Sequence, residues 1–142
     1  MTQNKINKYL KTMSYKRSDC PVSCTLDLIG DKWTLLIIRD LLLGKSRFKD
    51  FSESAERIPT NILADRLQKL EKTGLVRKTP YQKHPPRYEY CLTETGMDLV
   101  PVIKAIIEWA KKTFTGCLNT RSGLNRFGIV NACGRNTLLD IQ

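Results

Sequence analysis

Asn61, Ala64, Asp65 and Gln68 recur at the spacing of one helical face. Asn and Gln can each make two hydrogen bonds to an adenine edge. Asp can accept from cytosine and an alanine methyl can meet a thymine methyl, so this set has the chemistry to read bases in a major groove. Thr60 and Lys69 flank it in positions suited to phosphate. Two plainer readings stand beside this one: a merely solvated face and, for Asp65, an ion pair with its neighbour Arg66.

A second chemistry is available at Cys20. Pro21 suits the first position inside a helix, which puts Cys20 at the N-cap. There the unpaired amides and the positive helix end favour a thiolate; Lys16 and Arg17 assist and Asp19 opposes. A thiolate is oxidised or alkylated faster than a thiol, whereas the plainer reading is an inert small residue at a helix start. The five cysteines, Cys20, Cys24, Cys91, Cys117 and Cys133, are odd in number and contain no C-x-x-C pair, so they default to free thiols in a reducing compartment. Cys91, in an alternating strand pattern, reads as core.

Catalysis finds little support. The single histidine, His84, lacks the companions of a metal site or an acid-base pair, and the chain has no Gly-rich phosphate loop. No enzyme activity, metal or cofactor is expected.

The elements that must position these residues follow from periodicity. Leu63, Leu67 and Leu70 form the apolar side of the base-reading helix, with Thr60 at its N-cap, give or take a residue, and Gly74 closing it in a left-handed position. Residues 75–78 and 87–92 read as two strands around a Pro-broken turn at 82–86, where Lys83, His84 and Arg87 can grip phosphate from a stiffened tip. Upstream, Val22, Leu26 and Ile29 mark a first helix ended by Gly30. Asp31 can cap a nearly all-apolar helix over 32–43, the expected central core helix. Phe48 and Phe51 point inward from a short helix that presses Arg47 and Lys49 toward a nucleic-acid backbone, and 54–59 is the turn into the base-reading helix.

After the hairpin, Thr93 and Glu94 open a last long helix bent at Pro101. Its stripe of Leu99, Val102, Ile103, Ile106, Ile107 and Ala110, with Trp109 beside it, reaches beyond one compact domain. The economical partner is a second copy of the chain, met also by Val22 and Leu26, which gives a twofold dimer for a palindromic site.

The order expected is thus mainly α with a small β-hairpin wing: a winged helix-turn-helix dimerising through terminal helices. Residues 1–19 form a basic arm, either mobile or a short amphipathic helix through Ile6, Tyr9, Leu10 and Met13. Residues 20–115 form the domain, and 116–142, broken by Gly, Ser and Asn, read as a poorly ordered tail. The net charge of +10, from 24 Lys+Arg against 14 Asp+Glu, suits a nucleic-acid partner. With neither an apolar run of membrane-span length nor a secretion-signal core at Met1–Lys5, a cytoplasmic protein without membrane contact is expected.

The ordered motifs Cys20-Pro21-Val22, Leu28-Ile29-Gly30-Asp31-Lys32-Trp33, Arg47-Phe48, Thr60-Asn61-Ile62-Leu63-Ala64-Asp65-Arg66-Leu67, Pro85-Pro86-Arg87-Tyr88-Glu89-Tyr90 and Leu92-Thr93-Glu94-Thr95-Gly96 resemble those of HxlR-type winged helix-turn-helix regulators, over roughly 20–113. The resemblance implies a bacterial, cytoplasmic, homodimeric transcription regulator of MarR-like architecture that binds palindromic duplex DNA. It also implies that some members sense small-molecule electrophiles or oxidants through the cysteine at the start of the first helix, here Cys20. It carries over neither the sign of regulation nor a disulfide partner. The competing reading is a winged-helix module that binds protein or RNA without operator specificity.

Overall fold

In a computed structural model, residues 3–12 and 17–114 of the protein are described. Among these described residues, seven helices and one hairpin follow in the order α1 (Gln3–Thr12), α2 (Pro21–Ile29), α3 (Thr34–Leu42), α4 (Phe48–Ser52), α5 (Thr60–Lys72), β1 (Val76–Gln82), β2 (Arg87–Leu92), α6 (Glu94–Met97) and α7 (Val100–Thr113). This is a winged helix-turn-helix, mainly helical with one antiparallel hairpin. The expected tail, with Cys117 and Cys133, lies outside the described residues, as do Met13 and Lys16.

The core is aliphatic apart from Phe51 and is drawn from every large element. Ile37, Ile38 and Leu42 of α3 meet Phe51 of α4 and the Leu63, Leu67, Leu70 ridge of α5, with Val76, Leu92, Val100 and Ile103 closing it. Asp31 starts α3 as expected, accepting hydrogen bonds from the backbone amides of Trp33 and Thr34, both at 3.0 Å. The helix itself begins two residues later than expected, and it is not covered all round: Leu35 and Leu36 are half-buried and Leu43 is exposed.

α4 is started by Asp50, whose carboxylate accepts from the backbone N–H groups of Arg47 (2.9 Å) and Ser46 (3.2 Å). α5 begins at Thr60, with Pro59 as its N-cap, and the Pro59 carbonyl accepts from Leu63 N at 2.8 Å. Thr60 is therefore the first helical residue and its hydroxyl makes no cap bond. At the far end Gly74 has φ +77°, a conformation a side chain would strain.

The hairpin is longer than expected because β1 runs on through Pro80 to Gln82, with an irregularity between Pro80 and Gln82. A proline is tolerated because each strand of a two-stranded sheet is an edge. Thr93 bolts its base: the hydroxyl donates to the Gly74 carbonyl (2.6 Å) and accepts from Gly96 N (3.2 Å). A Cβ on Gly96 would lie 2.2 Å from the Leu75 carbonyl oxygen, so the close approach requires glycine.

At the ends, one expectation changes and one open alternative is decided. Instead of one bent helix after the hairpin, α6 stops at Met97 and a new helix starts with Pro101 in its first turn. A proline there lacks only an N–H that would be unpaired anyway, whereas inside a continuous helix it would clash with the preceding turn. The basic arm takes the helical alternative, with Ile6 of α1 packed against the core and the Lys5 side chain beside Gly74.

Candidate nucleic-acid interface

The outward side of α5 is available for contact. Asn61, Ala64, Asp65 and Gln68 are all exposed, as is Thr60. Among the described residues the side chains of Asn61 and Gln68 have no protein hydrogen-bond partner, so their donors and acceptors remain in water. Asp65 differs: its carboxylate lies 2.6 Å from Arg66 Nη1, the pairing the sequence left open. Arg66 in turn reaches Asp31, 3.1 Å away. Burial works to raise the Asp31 pKa, but the Thr34 hydroxyl, the Trp33 and Thr34 amides and the Arg66 charge together hold it below its ordinary value.

Lys69 is engaged within the chain. It was expected at phosphate, yet its ammonium donates to the Asp27 carbonyl at 3.0 Å, and burial pushes its pKa down. Position 69 falls on the flank of α5 that faces α2, so the long stem reaches inward and joins the two helices.

The hairpin carries Lys83, His84 and Arg87, all exposed, around its terminal turn. Arg47 serves it differently from the sequence expectation. Its guanidinium lies 3.1 Å from Glu89 of β2 and 4.4 Å from the Tyr81 ring centroid, and the backbones of Arg47 and Glu89 form an isolated β-bridge. Tyr90 N donates to the Ser46 carbonyl at 2.7 Å beside it. Arg47 thus fixes the hairpin against the helix-turn-helix, with its charge already met by a carboxylate. Lys49 stays exposed on α4, 3.6 Å from Glu53 one turn on.

Between α5 and the hairpin runs an open groove lined by Phe48, Ala64, Asp65, Gln68, Glu71, Lys78 and Tyr90. Three of these, Glu71, Lys78 and Tyr90, were given no role from sequence. Lys78 lies over the Tyr88 ring (4.1 Å to its centroid), and Tyr90 is pushed above the ordinary phenol pKa, chiefly by burial. The strand pattern could place them on a hairpin but could not show which face looks at α5.

Cys20 is exposed at the N-cap of α2, and its side chain makes no cap hydrogen bond. Cys24, one turn on, lies with its Sγ 3.5 Å from the Ser18 carbonyl. Cys91 is half-buried rather than core, its Sγ 3.6 Å from the Arg77 guanidinium across the hairpin.

The apolar stripe of the last helix divides. Ile103 is 6% exposed and belongs to this chain's own core, with Leu99 and Ile107 packed against it. Val102 and Ile106 face out, joined by Trp109 (59% exposed) and Phe114, whose rings meet edge to face at 5.3 Å; Ala110 is half-buried. On α2, Val22 and Leu26 are 66% and 53% exposed. Among the described residues no helix is long and apolar enough to cross a membrane, and no cluster of His, Cys, Asp or Glu could hold a metal.

Known proteins share this arrangement. Residues 28–116 match the family model of the HxlR-like helix-turn-helix. The HTH-type transcriptional regulator YdeP of Bacillus subtilis (strain 168) is 40% identical over 93 residues, 66% of this chain and 73% of that protein. The redox regulator HypR in its oxidised form superposes with a TM-score of 0.60 at 38% identity, covering 66% of this chain and 96% of HypR. The reduced form of the transcriptional regulator YodB from B. subtilis gives a TM-score of 0.57 at 32% identity, over 69% of this chain and 97% of YodB. With the hairpin, the outward α5 face and the family model in agreement, the chain belongs to the HxlR-like helix-turn-helix family of transcriptional regulators.

Proposed function

We propose that this protein is a sequence-specific regulator that binds a palindromic operator in duplex DNA as a homodimer, acting in the cytoplasm, with no catalytic step. The observation that carries the reading is the exposed polar face of α5, with the Asn61 and Gln68 amides unbonded among the described residues, next to a hairpin tip that carries Lys83 and Arg87. Asn61, Ala64 and Gln68 read base edges, Asp65 contributes where it can leave Arg66, and Thr60, Lys49, Lys83, His84 and Arg87 hold phosphates. Lys69 and Arg47 hold the elements in place.

Dimerisation uses the outward stripe of Val102, Ile106 and Trp109 with Val22 and Leu26, because apolar surface of this kind on a small domain is stabilised by a partner. Control through Cys20 is part of the same reading. The thiol is exposed at a helix start, and HypR, a protein of the same fold, is a redox regulator.

The test selects bound fragments from genomic DNA, footprints them, and repeats the binding after peroxide treatment of wild type and Cys20→Ser. A palindromic footprint, a sedimenting dimer and an oxidant response lost in Cys20→Ser are expected. Only monomer at micromolar concentration removes the dimer; equal binding to every fragment removes the operator.

A further inference from the structure

α1 lies outside the stretch matched by the family model, and it is seated beside the reading helix. Lys5, Lys8 and Tyr9 line an open groove with Gln68, Glu71 and Lys72 of α5. Lys5 also lines a second groove with Glu71, Gly74, Arg77 and Lys78. Together the two grooves carry five cations, Lys5, Lys8, Lys72, Arg77 and Lys78, against the single carboxylate of Glu71. Lys11 continues the positive charge at the exposed end of α1, a helix with no acidic residue. Among the described residues, none of Lys5, Lys8 and Lys11 is ion-paired to a carboxylate.

Dimensions say what such a surface meets. α5 has 13 residues, about 20 Å at 1.5 Å per residue, while a major groove is about 12 Å wide. A helix that inserts Asn61, Ala64 and Gln68 therefore carries Lys72, one turn further on, out toward the bordering sugar-phosphate strand. α1 sits at that end. The groove, about 600 Å³, is open along its length and flanked by lysines, which suits a polyanionic strand better than an enclosed small molecule.

We propose that α1 is a phosphate-binding helix: Lys8 and Lys11, with Lys72 of α5, grip the duplex backbone at the outer edge of the site read by α5. The proposal rests on the DNA-binding reading above and adds to it a contact that carries no sequence information. Lys5 is excluded from the set because its stem packs beside Gly74.

The experiment uses the full chain, wild type and Lys8→Gln/Lys11→Gln, on a 30-base-pair duplex of mixed sequence, with affinity measured from low to moderate salt. In the variant, the plot of log affinity against log salt should flatten by about 2 per protomer, since each phosphate contact contributes about 0.9. Duplex should also shield Lys8 and Lys11 of the wild type from acetylation, read by mass spectrometry, with the circular dichroism of the variant unchanged.

An unchanged slope together with unshielded lysines overturns the role of α1 and leaves the DNA-binding reading intact. Wild type that binds no duplex overturns both. Loss of binding only to an RNA duplex assigns the helix to RNA and also overturns the proposal.

Discussion

The corner between α3 and α4 and the tip of the hairpin are built from the same kinds of side chain and put them to opposite use. At the corner, Asp40 is fully buried and is met by Arg39 (2.7 Å), Lys45 (3.1 Å) and the Ser54 hydroxyl, while Glu56 takes the other side of Arg39 at 2.6 Å. Every charge there has a partner in the same chain. At the tip, Lys83, His84 and Arg87 stand exposed and make no ion pair to a described carboxylate. A buried charge costs several kcal/mol unless paired, so the corner is closed on itself for stability. An exposed cation costs nothing to leave unpaired and remains available to a polyanion.

The sharpest way to break this contrast is at the corner. Asp40→Ala leaves Lys45, Ser54 and one side of Arg39 without their acceptor and should cost about 3–5 kcal/mol of stability in urea unfolding. A loss near zero would mean that the corner is no more committed than the tip. Next in size, Asn61→Ala or Gln68→Ala should cost about 1–3 kcal/mol at the selected operator and little on mixed-sequence DNA, measured by fluorescence anisotropy. Equal losses on both duplexes would show that α5 does not read sequence.

At the tip, Lys83→Gln or Arg87→Gln should weaken binding to all sequences alike and flatten the salt dependence by about 1 each, with stability unchanged. Arg47→Gln makes the useful companion. Because Arg47 is bonded to Glu89, its loss should loosen the hairpin's attachment, seen as faster amide exchange at Tyr90, rather than remove a full phosphate contact.

The smallest effect is titrational. Arg39 holds the Glu56 carboxyl down to about 2, from an ordinary 4.5, chiefly through their hydrogen bond. Between those values the unfolded chain binds the proton more readily than the folded one. The contribution is therefore complete above pH 4.5 and lost as pH falls toward 2. Glu56 is partly exposed, and solvent screening keeps the contribution to about 1 kcal/mol or less. Glu56→Gln should remove that part of the acid dependence in unfolding measured across this range.

Much of the molecule was legible in residue order because its signals are local. The Leu63, Leu67, Leu70 ridge, the Asp31 cap, Cys20 before Pro21 and the left-handed Gly74 each concern residues within a turn or two of one another. What residue order could not show has one cause. Lys69 and Arg47 find partners 42 residues away in sequence, at Asp27 and Glu89, and nothing in their own neighbourhoods announces this. Ile103 and Ile106 look alike in a stripe, yet one lies inside and the other faces out, because only the packing of α7 on the core sets its rotation.

Sequence alone determined which segments are helix and hairpin, which side of α5 is apolar, and that the chain carries excess positive charge, since periodicity, capping and composition act through nearest neighbours and simple sums. Tertiary structure decided which charges are already satisfied, where the split in the last helix turns its apolar face, and that the basic first segment lies along the reading helix. A side chain's availability depends on what the rest of the chain brings to it, and that is fixed only when distant segments meet.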